Sequence, residues 1–270
     1  MDLNGKVAVV TGGGAGIGRA ISLRLAEDGA RVAVLDIRQE TADQTLQLAG
    51  GDGVALVCDV SDSSTVDATF ARIESELGPA DILVNNAGAI GMDHLRRVTP
   101  LLERQRAEAA NGGVTTPLDA LVRLSDDEWR RMLAIHLDGT FFCTRAAVRS
   151  MAPRGRGVIV NMSSICGLEG CTGHPHYPAA KAAILGFTKA AAKELIVQGI
   201  RVNAVAPGHV GTGTLQGEIT EQRRAIAAST PAGRLAEPQE IAGTVAFLAS
   251  DDAGYFVGAV LSPNGGLVTA

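Results

Sequence analysis

Two hydrophobic periods alternate along the chain. Short, nearly continuous apolar runs recur at Lys6–Thr11 (KVAVVT), Arg31–Asp36 (RVAVLD), Val54–Asp59, Ala80–Asn85 (ADILVN), Val158–Ser163, Ile200–Ala206 (IRVNAVA) and Gly258–Ser262. Runs without polar alternation suit strands buried on both faces of a parallel sheet. Between them, stretches with a helical apolar spacing cover Arg19–Gly29, Gln39–Ala49, Ser64–Leu77, Trp129–Met151, His176–Gln198, and about 220–229 and 237–250. Strands alternating with helices in this way predict an α/β fold. It is a doubly wound, parallel, seven-stranded sheet with helices on both faces, in a single domain over residues 1–270.

The rhythm breaks after Gly88. Met92–Gly113 (MDHLRRVTPLLERQRAEAANGG) stands out as an insertion. Thr99 as N-cap, Pro100 at the first position and Asn111-Gly112 as the stop predict a short helix over Pro100–Ala110. Its apolar residues are few (Leu101, Leu102, Ala109) and its charges many, so it reads as largely solvated. Because it follows strand four, it falls near the cleft where open α/β sheets bind ligands. A substrate lid, an oligomer contact and a surface elaboration without a role are all open readings.

Composition narrows the function classes. Hydrophobic residues make up 46%, glycines number 33, and aromatics are only 3%, which suits an α/β protein with many tight turns. The formal net charge of −5 gives no electrostatic reason to bind nucleic acid or an anionic membrane. No apolar run reaches the ~18 residues of a bilayer span. The first residues, Met1-Asp2-Leu3-Asn4-Gly5-Lys6, lack a signal-peptide layout, so a cytoplasmic location is expected. Cys58 and Cys143 fall in a strand and a helix, and Cys166 and Cys171 share one loop. Neither a metal-ligand spacing nor a disulfide framework is expected from these.

The first strand runs into Thr11-Gly12-x-x-x-Gly16-x-Gly18. Glycines allow a tight turn and close approach to a pyrophosphate, and the following helix start offers free N–H groups. The turn lies in a βαβ unit, and Asp36 ends the second strand, where dinucleotide folds of the Rossmann type place a ribose-binding carboxylate. The Lys-Ser/Thr of a P-loop is missing, which argues against nucleoside triphosphate hydrolysis. Asp36 favours NAD, since a carboxylate accepts bonds from a 2′-hydroxyl and repels a 2′-phosphate. Ala15 adds no positive charge; Arg38, two residues past Asp36, is the one feature that points toward NADP.

Tyr177 and Lys181 stand four residues apart in the helix predicted over His176–Gln198, and so share a face. A Lys ammonium within about 5 Å, at an effective dielectric of about 20, favours a phenolate by roughly 3 kcal/mol, or about 2 pKa units. That shift would bring a tyrosine into the range of efficient acid/base catalysis.

The glycine turn, Asp59-Val60, Asn85-Asn86-Ala87-Gly88, Ser164, Tyr177-x-x-x-Lys181 and Pro207-Gly208 occur in the order seen in short-chain dehydrogenases/reductases. The chain resembles that family from about Lys6 to Gly266, most closely its 3-oxoacyl-carrier-protein reductase-like branch. The resemblance implies that Gly12, Gly16, Ile17 and Gly18 lie along the pyrophosphate and Asp36 holds the adenosine ribose. It further implies that Asp59 and Val60 flank the adenine, Asn86 and Gly88 line the cofactor groove, and Val210 and Thr212 hold the carboxamide. Ser164, thirteen residues before Tyr177, corresponds to the catalytic serine. Tyr177 corresponds to the acid/base, and Lys181 to the residue that lowers its pKa and holds the nicotinamide ribose. The substrate pocket is expected from Ile165–His174, His209–Gln216 and the insertion. A homotetramer or dimer is expected through the helices at about 126–151 and 176–198 and the last strand.

One residue departs from that pattern. The family's Asn-x-x-Gly, which holds a water linking the lysine to solvent, reads His136-Leu137-Asp138-Gly139 here. A histidine titrates near neutral pH and can hold such a water, or can be an ordinary core residue. The function expected is NAD-dependent hydride transfer between the cofactor and a secondary alcohol or ketone. Within the family the alternatives are reduction of 3-oxoacyl thioesters and oxidation of cyclic alcohols or hydroxysteroids. Outside it, the alternative is a dinucleotide sensor without catalysis. No metal is implied.

Overall fold

The computed structural model describes residues 1–212 and 221–269. Seven strands, β1 (Val7–Thr11), β2 (Arg31–Asp36), β3 (Gly53–Val57), β4 (Ile82–Asn85), β5 (Gly157–Met162), β6 (Ile200–Val205) and β7 (Val260–Leu261), form one sheet in the order β3-β2-β1-β4-β5-β6-β7. Every pairing is parallel. All five residues of β1 are buried, as a central strand covered on both faces demands.

The helices are α1 (Gly16–Glu27), α2 (Gln39–Leu48), α3 (Ser63–Leu77), α4 (Met92–Ala110), α5 (Asp126–Leu133), α6 (Gly139–Met151), α7 (Ile165–Glu169), α8 (His176–Leu195), α9 (Glu221–Ser229) and α10 (Pro238–Ala249). They cover both faces. One apolar core joins β-sheet residues such as Val10, Val34 and Val84 to Ile21 and Leu25 of α1 and Ile241 and Val245 of α10. The other joins Val9, Leu35 and Leu83 to Phe70 and Ile73 of α3 and to Ala147 and Met151 of α6. This is the doubly wound fold that the hydrophobic pattern requires. The strand order reverses between β1 and β4, so the ligand crevice opens beyond their carboxyl ends.

Three expectations are corrected. The helix expected over Pro100–Ala110 begins at Met92, and Thr99 is no N-cap; its Oγ1 donates to the Leu95 carbonyl 2.8 Å away. Pro100 is accommodated inside the helix because the preceding turns are anchored: His94 and Val98 are fully buried. The long helix expected over Trp129–Met151 is interrupted by a π-helical turn at Ala134–Asp138. The loop cysteines are not separate. A disulfide joins Cys166 to Cys171, because α7 and the Gly170 turn bring their Cα atoms to 5.1 Å. The expected helix at about 220–229 is α9, whereas residues 213–216 of the expected substrate pocket lie outside the described residues.

Candidate active site

The cleft beyond β1 and β4 has a volume of about 590 Å³. Gly12, Gly16, Ile17, Gly18, Asp36, Asp59, Val60, Asn86, Gly88 and Thr212 all line it. Val210 stands behind this lining: it is buried, bridges to Ala236, and its carbonyl accepts from the Thr212 N–H at 2.9 Å.

Three features decide that the cleft fits a dinucleotide. Ala15, the N-cap of α1, provides no side-chain cap, so the first N–H groups of the helix are left for an anionic acceptor. The turn folds back on itself so tightly that a Cβ on Gly18 would stand 2.0 Å from the Gly12 carbonyl oxygen. Only glycine permits that. At the far end, Asp36 Oδ2 accepts from the Gly14 N–H at 3.0 Å, while Oδ1 accepts from the Arg38 N–H at 3.1 Å and Thr41 Oγ1 at 3.2 Å. Oδ2 keeps acceptor capacity for a ribose hydroxyl. Arg38 takes the N-cap position of α2, so Asp36 is not the cap itself. Asn86 clamps the turn, its Nδ2 donating to the Thr11 and Gly12 carbonyls at 3.0 and 3.1 Å. Asp59 accepts from the Ser61 hydroxyl at 2.6 Å, which does most to hold its carboxyl below the usual range.

Past the Gly88–Ala89 end of this cleft stand the remaining site candidates, reached through His136, whose ring meets Tyr177. Ser164 caps α7, its Oγ accepting from the Cys166 N–H at 3.1 Å. Ser163 has a different job: its hydroxyl donates to the Lys181 carbonyl at 2.9 Å and ties β5 to the start of α8. Tyr177 and Lys181 share a face of α8, as their spacing requires. The electrostatics differ from the sequence expectation. Burial pushes the Tyr177 phenol above its ordinary value, opposed by hydrogen bonding with Ser164. Burial also pulls Lys181 down to about 7. Desolvation acts on both side chains, and the Lys181 charge does not drive the Tyr177 shift.

His136 lies on the π-helical turn, a device common at functional sites. Its Nε2 stands 2.8 Å from the Ala89 carbonyl and 3.1 Å from the Ala89 nitrogen. Its ring meets Tyr177 edge-on, with centroids 5.5 Å apart. A Cβ on Gly88 would lie 2.5 Å from His136 Cε1, so Gly88 makes room for the imidazole. Burial first, and then Lys181, lower its pKa to about 3. His136 is therefore neutral at physiological pH, not the near-neutral titrating group its residue type suggests. Its Nδ1 is buried without a hydrogen-bond partner.

Sequence reasoning missed the frame beneath these residues. Asn85 Nδ2 donates to Thr144 Oγ1 at 3.0 Å and to Asn161 Oδ1 at 2.8 Å, and Asn161 Nδ2 donates to Thr188 Oγ1 at 2.9 Å. This buried chain locks β4, α6, β5 and α8 together and so fixes where Tyr177 and Lys181 sit. Its signal was available: asparagines end the otherwise apolar runs ILVN and VIVN. The histidines of the insertion side were also missed. His94 of α4 lies 3.0 Å from the Gly173 carbonyl through Nε2, and its ring meets His176 at 5.2 Å.

A glycine cradle at the sheet's switch point, with buried Ser164 and Lys181 and the half-buried Tyr177 nearby, defines a nicotinamide-dependent oxidoreductase. The comparisons agree. The family model described as short chain dehydrogenase matches residues 6–223. The chain is 38% identical over 267 residues to 3-oxoacyl-[acyl-carrier-protein] reductases of Vibrio cholerae and Escherichia coli, covering 99% of each chain. It is 39% identical over 263 residues to the cis-4-hydroxycyclohexanecarboxylate dehydrogenase of Sinomonas cyclohexanicum, covering 97% of this chain and 96% of that one. A crystal structure of a short-chain type dehydrogenase/reductase from Mycobacterium marinum superposes with a TM-score of 0.84 at 29% identity, over 100% of this chain and 98% of the other. The protein belongs to the short-chain dehydrogenase/reductase family. It is an oxidoreductase that acts on alcohol or keto groups of a small molecule with a nicotinamide cofactor. No helix among the described residues is long and apolar enough to cross a membrane.

Proposed function

We propose that this protein is an NAD-dependent dehydrogenase that interconverts a secondary alcohol and its ketone, with Tyr177 as the acid/base. The observation that carries the reading is the join between two arrangements. The cleft that ends at Asp36 reaches Gly88 and Ala89 at its other side, where both meet His136, and the His136 ring packs edge-on against Tyr177, four residues before the buried Lys181. When bound, the nicotinamide supplies the hydride acceptor or donor. Ser164 Oγ uses a lone pair to accept from Cys166 N–H, which leaves its own proton to donate to the substrate oxygen. Tyr177 takes the hydroxyl proton in oxidation and returns it in reduction. Lys181 spends one ammonium hydrogen on the Met162 carbonyl at 2.8 Å, and directs the others to the nicotinamide ribose. His136 is a positioning residue whose Nδ1 accepts from a water serving Lys181, in the role of the family's asparagine.

NAD is the preferred cofactor in this reading, because Asp36 closes the adenosine end with a carboxylate. The substrate in this reading is a cyclic secondary alcohol, in line with what the Sinomonas relative's name states of that protein. Reduction of a 3-oxoacyl thioester is the second reading, supported by the names of the Vibrio and Escherichia relatives. A screen of hydroxycyclohexane carboxylates, other secondary alcohols and 3-oxoacyl thioesters, each with NAD(H) and NADP(H), tests both. Higher kcat/KM with NAD(H) and alcohols is expected. Higher kcat/KM with NADP(H) overturns the cofactor assignment, and thioester turnover far above that of every alcohol overturns the substrate assignment.

The assembly proposed is a homotetramer or dimer built through α6 and α8. Phe141 of α6 is 42% exposed and meets Phe187 of α8 edge-on, with centroids 6.3 Å apart. An exposed Phe141 backed by the half-buried Phe187 of the neighbouring helix suits an interface between copies. Light scattering on the eluted protein tests it, and a monomer at micromolar concentration overturns it.

A further inference from the structure

The loop between Ser164 and Tyr177 carries a second cluster of reactive side chains. Cys166 and Cys171 are joined through their sulfurs, and His174 stands beside them. One ligand atom from each of the three lies within 4.8 Å of the other two, and all three side chains are half-buried. His174 Nδ1 is buried without a hydrogen-bond partner. Cys58 and Cys143 are buried elsewhere as free thiols.

We propose that, once the disulfide is reduced, Cys166, Cys171 and His174 bind one soft divalent cation of the zinc class. Two thiolates and an imidazole are a donor set that selects such an ion over magnesium or calcium. With Zn–S near 2.3 Å and Zn–N near 2.0–2.1 Å, neighbouring ligand atoms of a tetrahedral site stand roughly 3.4–3.8 Å apart. The sulfurs, released from their mutual bond, separate to that distance, and the imidazole, already within 4.8 Å of both, closes on them. Three protein ligands leave a fourth position for water or a substrate oxygen.

The two states exclude each other, and the change between them balances. A dithiol reductant reduces the Cys166–Cys171 bond by two electrons. The protein S–S bond breaks, an S–S bond forms in the reductant, and its two thiol protons pass to Cys166 and Cys171. The cation then displaces those two protons and holds both sulfurs as thiolates, which protects them from reoxidation.

The position gives this exchange a path to the chemistry. The Cys166 N–H donates to Ser164 Oγ at 3.1 Å, and the His174 carbonyl accepts from the Tyr177 N–H at 3.1 Å. The His174 ring also packs on the Tyr177 ring, with centroids 5.7 Å apart. The cluster thus bridges the two residues that face the substrate oxygen in the proposed reaction. The binding itself does not depend on that reaction.

The full chain is reduced with a phosphine, stripped of metal by a chelator, and titrated with Co²⁺ under anaerobic conditions. The thiolate-to-cobalt absorption should rise to one Co²⁺ per chain and vanish on addition of Zn²⁺. The disulfide form should stay silent in the same titration, a comparison that needs no substitution. Cys166→Ser and Cys171→Ser should abolish the band, and His174→Gln should weaken binding by at least about tenfold. No band in the reduced protein, or an equal one in Cys166→Ser or in the disulfide form, overturns the proposal.

Discussion

Lys181 lies over the face of Tyr177, its Nζ 5.7 Å from the ring centroid, and donates to the Met162 carbonyl. Desolvation holds the Tyr177 phenol above its ordinary pKa. In the proposed reaction oxidation uses Tyr177 as a base, and its basic fraction grows tenfold per pH unit below that pKa. The kcat/KM for alcohol oxidation should therefore climb from pH 7 to 9 relative to that for ketone reduction, which uses the protonated phenol; the titration of Lys181 at about 7 acts on both directions and cancels in the ratio. Tyr177→Phe should lower both by about 10²–10⁴ with cofactor affinity unchanged. A variant retaining a tenth of the activity would take the acid/base role away from Tyr177.

His136 offers a cleaner test of burial. Its pKa is about 3 in the folded chain, against an ordinary value of 6.5. Between those values the unfolded chain binds a proton that the folded chain refuses, so stability falls as pH drops below 6.5 and stops falling from this source near pH 3. From pH 6.5 to 5 the contribution lost is about 2 kcal/mol. His136→Asn should remove that part of the acid sensitivity and remain active, since an amide can also accept from a water. Urea unfolding of both proteins at pH 7 and 5, beside turnover at pH 7, reads both effects. Equal acid sensitivity in the two proteins would mean that His136 is not held neutral by burial, and loss of turnover with normal cofactor binding would end the idea that it replaces the asparagine.

What the sequence revealed and what it hid follow from the range of the forces involved. The strands were legible because a residue buried on both faces must be apolar, and VAVVT and RVAVLD leave no alternative. The glycine turn, Asp36 and the Tyr177–Lys181 pair were legible because their geometry is local, set by spacing along one element. The sign of the Tyr177 shift was not, because it depends on desolvation by groups distant in sequence. For the same reason His136 looked like a titrating group until its burial was known. Pro100 misplaced the start of α4: a proline is ordinarily a helix-start signal, and burial of His94 and Val98 overrode it. The Cys166–Cys171 bond was hidden by α7, which is too short to leave a periodic pattern.

Asp36 carries two duties that substitution can separate. Its Oδ1 closes the turn before α2, and its Oδ2 faces the glycine loop. Asp36→Asn keeps an acceptor for the turn and removes the charge that repels a 2′-phosphate. The ratio of kcat/KM for NAD over NADP should fall by about tenfold or more, equal to about 1.4 kcal/mol of discrimination. Steady-state kinetics with each cofactor at fixed alcohol measures it. An unchanged ratio would assign cofactor choice to Arg19 or Arg38, the cations nearest this end of the cleft.

The helix α4 packs its buried face, His94 and Val98, against the loop that leads from the disulfide to Tyr177. His94 is the polar pin of that contact, held at 3.0 Å to the Gly173 carbonyl. Removing it leaves a buried carbonyl without its partner, a loss of about 1–3 kcal/mol that falls on the substrate side of the site. His94→Ala should therefore raise KM for the alcohol by about tenfold while KM for the cofactor stays within twofold, because the glycine turn and Asp36 lie on the other side of the sheet's switch point. Both constants come from the same initial-rate experiment. If both rise together, α4 supports the whole domain and is no wall of the substrate pocket; if neither moves, the contact is surface elaboration.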